Sequence, residues 1–136
     1  MIYHIVKEKD YLPFIKGDSY IPFNFDETGF VHCALEASVV PVANDYYSNV
    51  EDKLLLLKID PLKLKSQTKY ESAALVKGAG IHHLNTSPVF PHVYGPIDNS
   101  SVEGIGEILK EKNGYAWPKE FVPLTEYLKK KSEITA

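Results

Sequence analysis

The chain has 136 residues, 44% of them hydrophobic and 24% charged, with a net charge of −3, which suits one soluble α+β domain with an ordinary core. That balance gives no electrostatic footprint for DNA or RNA, and the longest apolar run, Leu54-Leu55-Leu56-Leu57, is far too short to span a membrane. A single cysteine and the lack of a charged leader ahead of an apolar stretch point to a reducing, cytoplasmic setting.

In chain order, residues 2–6 form a first strand with Ile2, His4 and Val6 on one face. A short helix over 10–16 is interrupted by Pro13 and ended by Gly17. An irregular aromatic stretch over 20–25 and a turn at Asp26-Glu27-Thr28-Gly29 lead into a second strand over 30–34. Ser38 is expected to cap a helix with Pro41 in its first turn. Val39, Val42, Ala43, Tyr46 and Tyr47 then make a core-facing stripe. Residues 53–60 are the clearest central strand, apolar on both faces. Residues 69–74 form another strand, and 78–88 a loop carrying His82 and His83.

The block Phe90-Pro91-His92-Val93-Tyr94-Gly95-Pro96 is rigid and extended, with His92 and Tyr94 on one face. Its prolines lack an N–H, so it is not expected in the middle of a sheet. Gly104 and Gly106 turn residues 102–109 toward a strand, and 123–131 form a terminal helix with Leu124, Tyr127 and Leu128 on one side. The cluster Lys129-Lys130-Lys131 is a solvated helix end.

The five histidines are the groups that titrate nearest neutrality. His4 and His32 fit hydrogen-bonded core positions as well as ligand contacts, and His92 is held by its prolines. All fifteen basic residues are lysine, so an anion must be held by lysine, backbone N–H groups or histidine. Cys33 fits a small buried residue better than a nucleophile, because His32 beside it points to the opposite face. A cleft in which His4, His32 and His92 donate hydrogen bonds, Glu71 accepts them and an aromatic ring such as Tyr3, Tyr20, Phe30 or Tyr94 stacks on a planar group is the favoured chemistry.

The opening Ile-Tyr-His-Ile, Gly17 with Tyr20-Ile21-Pro22, Gly29-Phe30-Val31-His32-Cys33-Ala34, Tyr70-Glu71 and the Phe90 block occur in an order that resembles the family called domain of unknown function 952. The resemblance covers about residues 2–110 of a single domain 1–136 and leaves 111–136 as a C-terminal extension. It implies an ADP-ribosyltransferase-like fold, two small, mostly antiparallel sheets split around a cleft with short flanking helices. It also implies NAD as the cofactor and a nucleotide ligand as the partner. On that likeness His4 contacts the ribose next to nicotinamide, His32, Phe30 and Tyr94 help bind the cofactor, and Glu71 and His92 are the catalytic candidates. Either Glu71 or His92 fills the third motif position.

Ala34 stands where the family usually has serine, and Tyr11 lies near the place of an expected indole. Without arginine, the RNA 2′-phosphotransferase activity of the wider superfamily is not expected. The favoured function is nucleotide binding of the NAD or ADP-ribose type with cleavage of a glycosidic bond, in a monomer or weak homodimer. A non-catalytic binding module is the first alternative. A zinc-dependent hydrolase using His4, His32 and His92 is the second, although no local zinc motif is present and no metal ligand is assigned.

Overall fold

A computed structural model describes residues 1–72 and 89–135. The expected loop with His82 and His83, and the Ala73-Ala74 end of the expected strand, lie outside these residues. The described elements in order are β1 (Ile2–Lys7), α1 (Glu8–Tyr11), β2 (Ser19–Tyr20), α2 (Phe25–Thr28), β3 (Val31–His32), α3 (Glu36–Tyr46), β4 (Leu54–Ile59), β5 (Gln67–Ser72), β6 (Val89–Tyr94), β7 (Ile97–Asp98), β8 (Val102–Glu111), β9 (Gly114–Ala116) and α4 (Leu124–Thr135). The architecture is α+β, with three antiparallel sheets in the orders β1-β4-β8-β9, β3-β6-β5 and β2-β7.

β4 anchors the larger sheet because both of its faces are apolar. Leu55, Leu57 and Ile59 enter one cluster with Ile2, Val6, Tyr11 and Ile97, while Leu54 and Leu56 enter another with Tyr3, Ile5, Val39 and Ile108. Alternation along a strand produces that division. β8 is a strand, as its glycines suggested. The reason is a close approach: a Cβ at Gly106 would lie 2.7 Å from the Pro118 side chain, and one at Gly104 would lie 3.0 Å from Phe121. The segment 118–122 therefore rests directly on β8, tied by an Ile105–Val122 bridge. Tyr11, fully buried, donates to Asn99, whose amide donates to the Phe14 and Gly17 carbonyls and pins the turn after α1.

Three expectations are corrected. α3 begins at Glu36 after an extended Leu35, so Ser38 is not its cap and Pro41 lies inside the helix. The acidic Glu36 suits the helix N-terminus, and Pro41 removes one main-chain bond to the preceding turn. Tyr46 is 45% exposed and not a core residue, although Val39 and Ala43 of the same stripe are fully buried. Most consequential, β6 with Pro91 is the central strand of its sheet. Pro91 accepts a hydrogen bond from the Cys33 N–H at 3.0 Å, so its nitrogen faces β3 where that short strand is ending. The missing N–H thus falls where the ladder stops.

The two larger sheets meet at one bridge, in which Tyr3 and Ala34 exchange main-chain hydrogen bonds of 2.9 and 2.7 Å. Beyond it β1 and the smaller sheet diverge, and a cavity of about 640 Å³ lies between them, with Tyr20 and the end of α3 completing its wall.

Candidate functional site

β1, β3 and β6 place His4, His32 and His92 in the wall of this cavity. Phe30, Glu71 and Tyr94 are not in the wall. They surround His92, so the six expected site residues form one neighbourhood with two tiers.

His4 is fully engaged within the protein. Its Nδ1 lies 2.6 Å from the His32 carbonyl, and its Nε2 lies 3.0 Å from the Tyr20 hydroxyl. A carbonyl can only accept, so Nδ1 carries the proton and Nε2 accepts from Tyr20. Burial lowers the His4 pKa to about 4, against the upward pull of the hydrogen bond to the His32 carbonyl and with a further lowering from the His32 ring, and burial likewise raises that of Tyr20. A neutral imidazole with a protonated phenol is the state this geometry holds. Tyr20 as the donor that fixes His4 escaped the sequence reading, which placed it only among possible stacking rings. The two are 16 residues apart in separate elements, with no shared periodicity.

His92 differs. It is 1% exposed, and its Nδ1 lies 2.8 Å from Glu71 Oε1. The same carboxylate oxygen accepts from the Tyr94 hydroxyl. Phe30 stacks on the imidazole at 4.0 Å between centroids and 23° between planes. The ring is fixed by a carboxylate at one nitrogen and a phenyl on its face, and among the described residues Nε2 has no hydrogen-bond partner. Tyr94, and then His92, hold the Glu71 carboxyl below the usual range, and Glu71 in turn raises the Tyr94 pKa.

Strand register makes this cluster. His92 pairs with His32 on one side and Lys69 on the other, and Glu71 is diagonal to His92. Because the Cys33–Pro91 pair carries the hydrogen bond, His32–His92 is a non-hydrogen-bonded pair, the closer of the two kinds in an antiparallel ladder. Their rings stand 5.8 Å apart, edge to face. His32 is half-buried, and burial, then the His92 ring, lower its pKa. Among the described residues its ring has no hydrogen-bond partner.

One main-chain feature also faces the cavity. The even residues of β1 bond toward β4, and the odd residues turn their N–H and C=O the other way. Tyr3 uses both with Ala34. Ile5, 8% exposed and part of the cavity wall, has no main-chain partner on that side among the described residues. A buried donor–acceptor pair of this kind calls for water or a ligand.

The three-histidine zinc arrangement is not formed. Both His4 nitrogens are occupied, and among the described residues no three His, Cys, Asp or Glu side chains are placed to hold a metal ion. Burial raises the pKa of the Cys33 thiol, which keeps it protonated and unsuited to nucleophilic attack.

A small α+β protein with a histidine-walled cavity between two sheets is thus defined. The chain belongs to the family of proteins of unknown function DUF952, whose model matches residues 5–105. It is similar in structure to the protein CC0527 from Caulobacter crescentus. The crystal structure of CC0527 and that of a double mutant each superpose with a TM-score of 0.66 at 19% identity, covering 94% of this chain and 97% of theirs. The solution structure gives 0.59 at 20% identity over 87% of this chain and 90% of that one. At such identities the likeness is one of fold. No curated protein matches the sequence significantly. Among the described residues no helix is long and apolar enough to cross a membrane.

Proposed function

We propose that the cavity binds a nucleotide-derived small molecule of the NAD or ADP-ribose type, in a split-sheet arrangement like that of the ADP-ribosyltransferases. The observation that carries this reading is His92, buried in the cavity wall with Nδ1 held by Glu71 and, among the described residues, no hydrogen-bond partner on Nε2. A volume of about 640 Å³ lies within the range of small-molecule sites. The outward N–H and C=O of Ile5 suit an amide or lactam edge, such as the carboxamide of nicotinamide or the edge of a nucleobase. The fit is better for base and ribose than for phosphate: Lys7 is the lysine in the described wall, and it already pairs with Asp52 at 3.4 Å.

NAD, when bound, supplies a glycosidic bond whose cleavage releases nicotinamide. His92 would accept at Nε2 the proton of the attacking hydroxyl, from water or an acceptor alcohol, as its oxygen bonds to the ribose carbon that releases nicotinamide, while Glu71 would hold the proton at Nδ1 and offset the charge on the ring. Tyr94 and Phe30 orient Glu71 and His92. His4, with both nitrogens engaged, shapes the wall and gives no hydrogen bond to the ribose. That engagement favours a second reading, a binding module without turnover, since it removes one of the polar groups a transferase would use.

Calorimetric titration with NAD, ADP-ribose, adenosine and nicotinamide tests the proposal. At least one should give saturable heat, weakened about tenfold or more by His92→Ala. No heat from any of them at millimolar concentration overturns the nucleotide reading. Binding without nicotinamide release over a long incubation selects the module.

A further inference from the structure

Phe23 is 89% exposed, yet it belongs to the wall of the 640 Å³ cavity. The ring is not on a loose segment. Pro22 accepts from the Phe25 N–H at 3.1 Å, closing a turn with Phe23 at its second position, and Asn24 accepts from Glu27 at 3.1 Å. Phe25 packs against the core cluster and anchors the turn from beyond. The main chain at Phe23 is thereby held at a fixed place on the cavity rim, with its large apolar ring in solvent. Its neighbours Ile21, Pro22 and Asn24 are only partly exposed, so Phe23 is a single projecting ring and not the centre of a broad apolar surface. Tyr46, at the end of α3, is the other exposed aromatic residue in the same wall.

We propose that Phe23 is a stacking clamp at the cavity mouth, which covers the planar ring of the bound ligand and sets a preference for aromatic over aliphatic ligands. This rests on the small-molecule reading above and adds the group that selects for flatness. The ring needs no cavity atom as partner in the free protein, because the ligand supplies the second face. Aromatic stacking formed on binding is worth about tenfold in affinity.

The test compares wild type with Phe23→Ala, Phe23→Tyr and Phe23→Leu against NAD, ADP-ribose, adenosine and nicotinamide, by calorimetry. Thermal unfolding of each variant runs alongside. For any probe that wild type binds, Phe23→Ala should weaken binding about tenfold, Phe23→Tyr should restore it, and Phe23→Leu should fall between. The unfolding midpoints should agree within a few degrees, since the side chain is already in solvent. In a Phe23→Trp variant the new indole should emit as solvent-exposed when free and shift to shorter wavelength with the same probe. Binding by Phe23→Ala as tight as by wild type overturns the clamp and leaves the nucleotide reading standing. A wild type that binds none of the probes overturns both. Sedimentation that shows a wild-type dimer converted to monomer by Phe23→Ala also overturns the clamp, because the ring would then be covered by a second copy.

Discussion

His4 and His92 are both buried and both line one cavity, but their surroundings give them opposite characters. On β1, His4 spends Nδ1 on a carbonyl and Nε2 on a phenol, and burial keeps it neutral. On β6, His92 has one nitrogen on a carboxylate and a ring on its face. The first pattern ties three segments together, because His4, Tyr20 and His32 come from three different strands. The second fixes an imidazole in the cavity wall, with no partner on Nε2 among the described residues. Burial alone does not separate a structural histidine from a reactive one; the nitrogen left without a partner does.

The largest expected effect breaks the first half of this contrast. His4→Leu leaves the Tyr20 hydroxyl and the His32 carbonyl without partners, and should lower unfolding stability by about 3 kcal/mol in urea denaturation. An unchanged midpoint would show that His4 ties nothing together.

A pH series probes the same site without mutation. The pKa of His4 is about 4 in the folded protein against 6.5 ordinarily, so the unfolded chain takes up its proton first as pH falls. Stability from this group is complete above about pH 6.5 and is lost on acidification toward pH 4, by on the order of 3 kcal/mol. His32, also lowered, adds a smaller loss of the same sign. Glu8 acts lower. Burial pushes its carboxyl up, but the Tyr127 hydroxyl, Lys131 and Lys53 outweigh that, so its contribution is lost only as pH falls below about 4.5. Denaturation across pH 7 to 4 should show the drop in wild type and much less of it in His4→Leu.

Tyr20→Phe removes one hydrogen bond and should cost about 1 kcal/mol in the same assay. It should leave the His92 ring signals in NMR spectra unmoved, and a shift there would mean the two histidines are coupled. The smallest effect on stability belongs to Glu71→Ala, since the carboxylate is partly open to solvent. Its signature lies elsewhere. Nitrogen-detected NMR should show His92 losing its Nδ1–H tautomer, and retention of that tautomer would remove Glu71 from the site.

Much of the scaffold is legible in the sequence. β1, β4 and β8 follow from apolar alternation, a doubly apolar run and glycines too frequent for a helix. Parts of the site are legible too, since His92 and Tyr94 stand two apart in an extended block. What is hidden depends on register. Glu71 reaches His92 only because β5 aligns Lys69 with it, and no local pattern reveals a partner 21 residues away. Pro91 misleads for a related reason: a proline is tolerated in a central strand when the neighbour on its N-side ends there, and strand length across a sheet is not written near the proline. Tyr46 misleads because a helix stripe continues past the point where the core stops.

The Tyr3–Ala34 bridge also makes a timekeeper. Among the described residues it is the one pairing between the β1 and β3 sheets, so parting the cavity walls at that seam exposes the Ala34 amide to solvent. The hydrogen-exchange rate of that single amide therefore counts how often the seam opens. A molecule wedged between the sheets should lengthen the interval, giving a readout of occupancy that needs no knowledge of the chemistry inside.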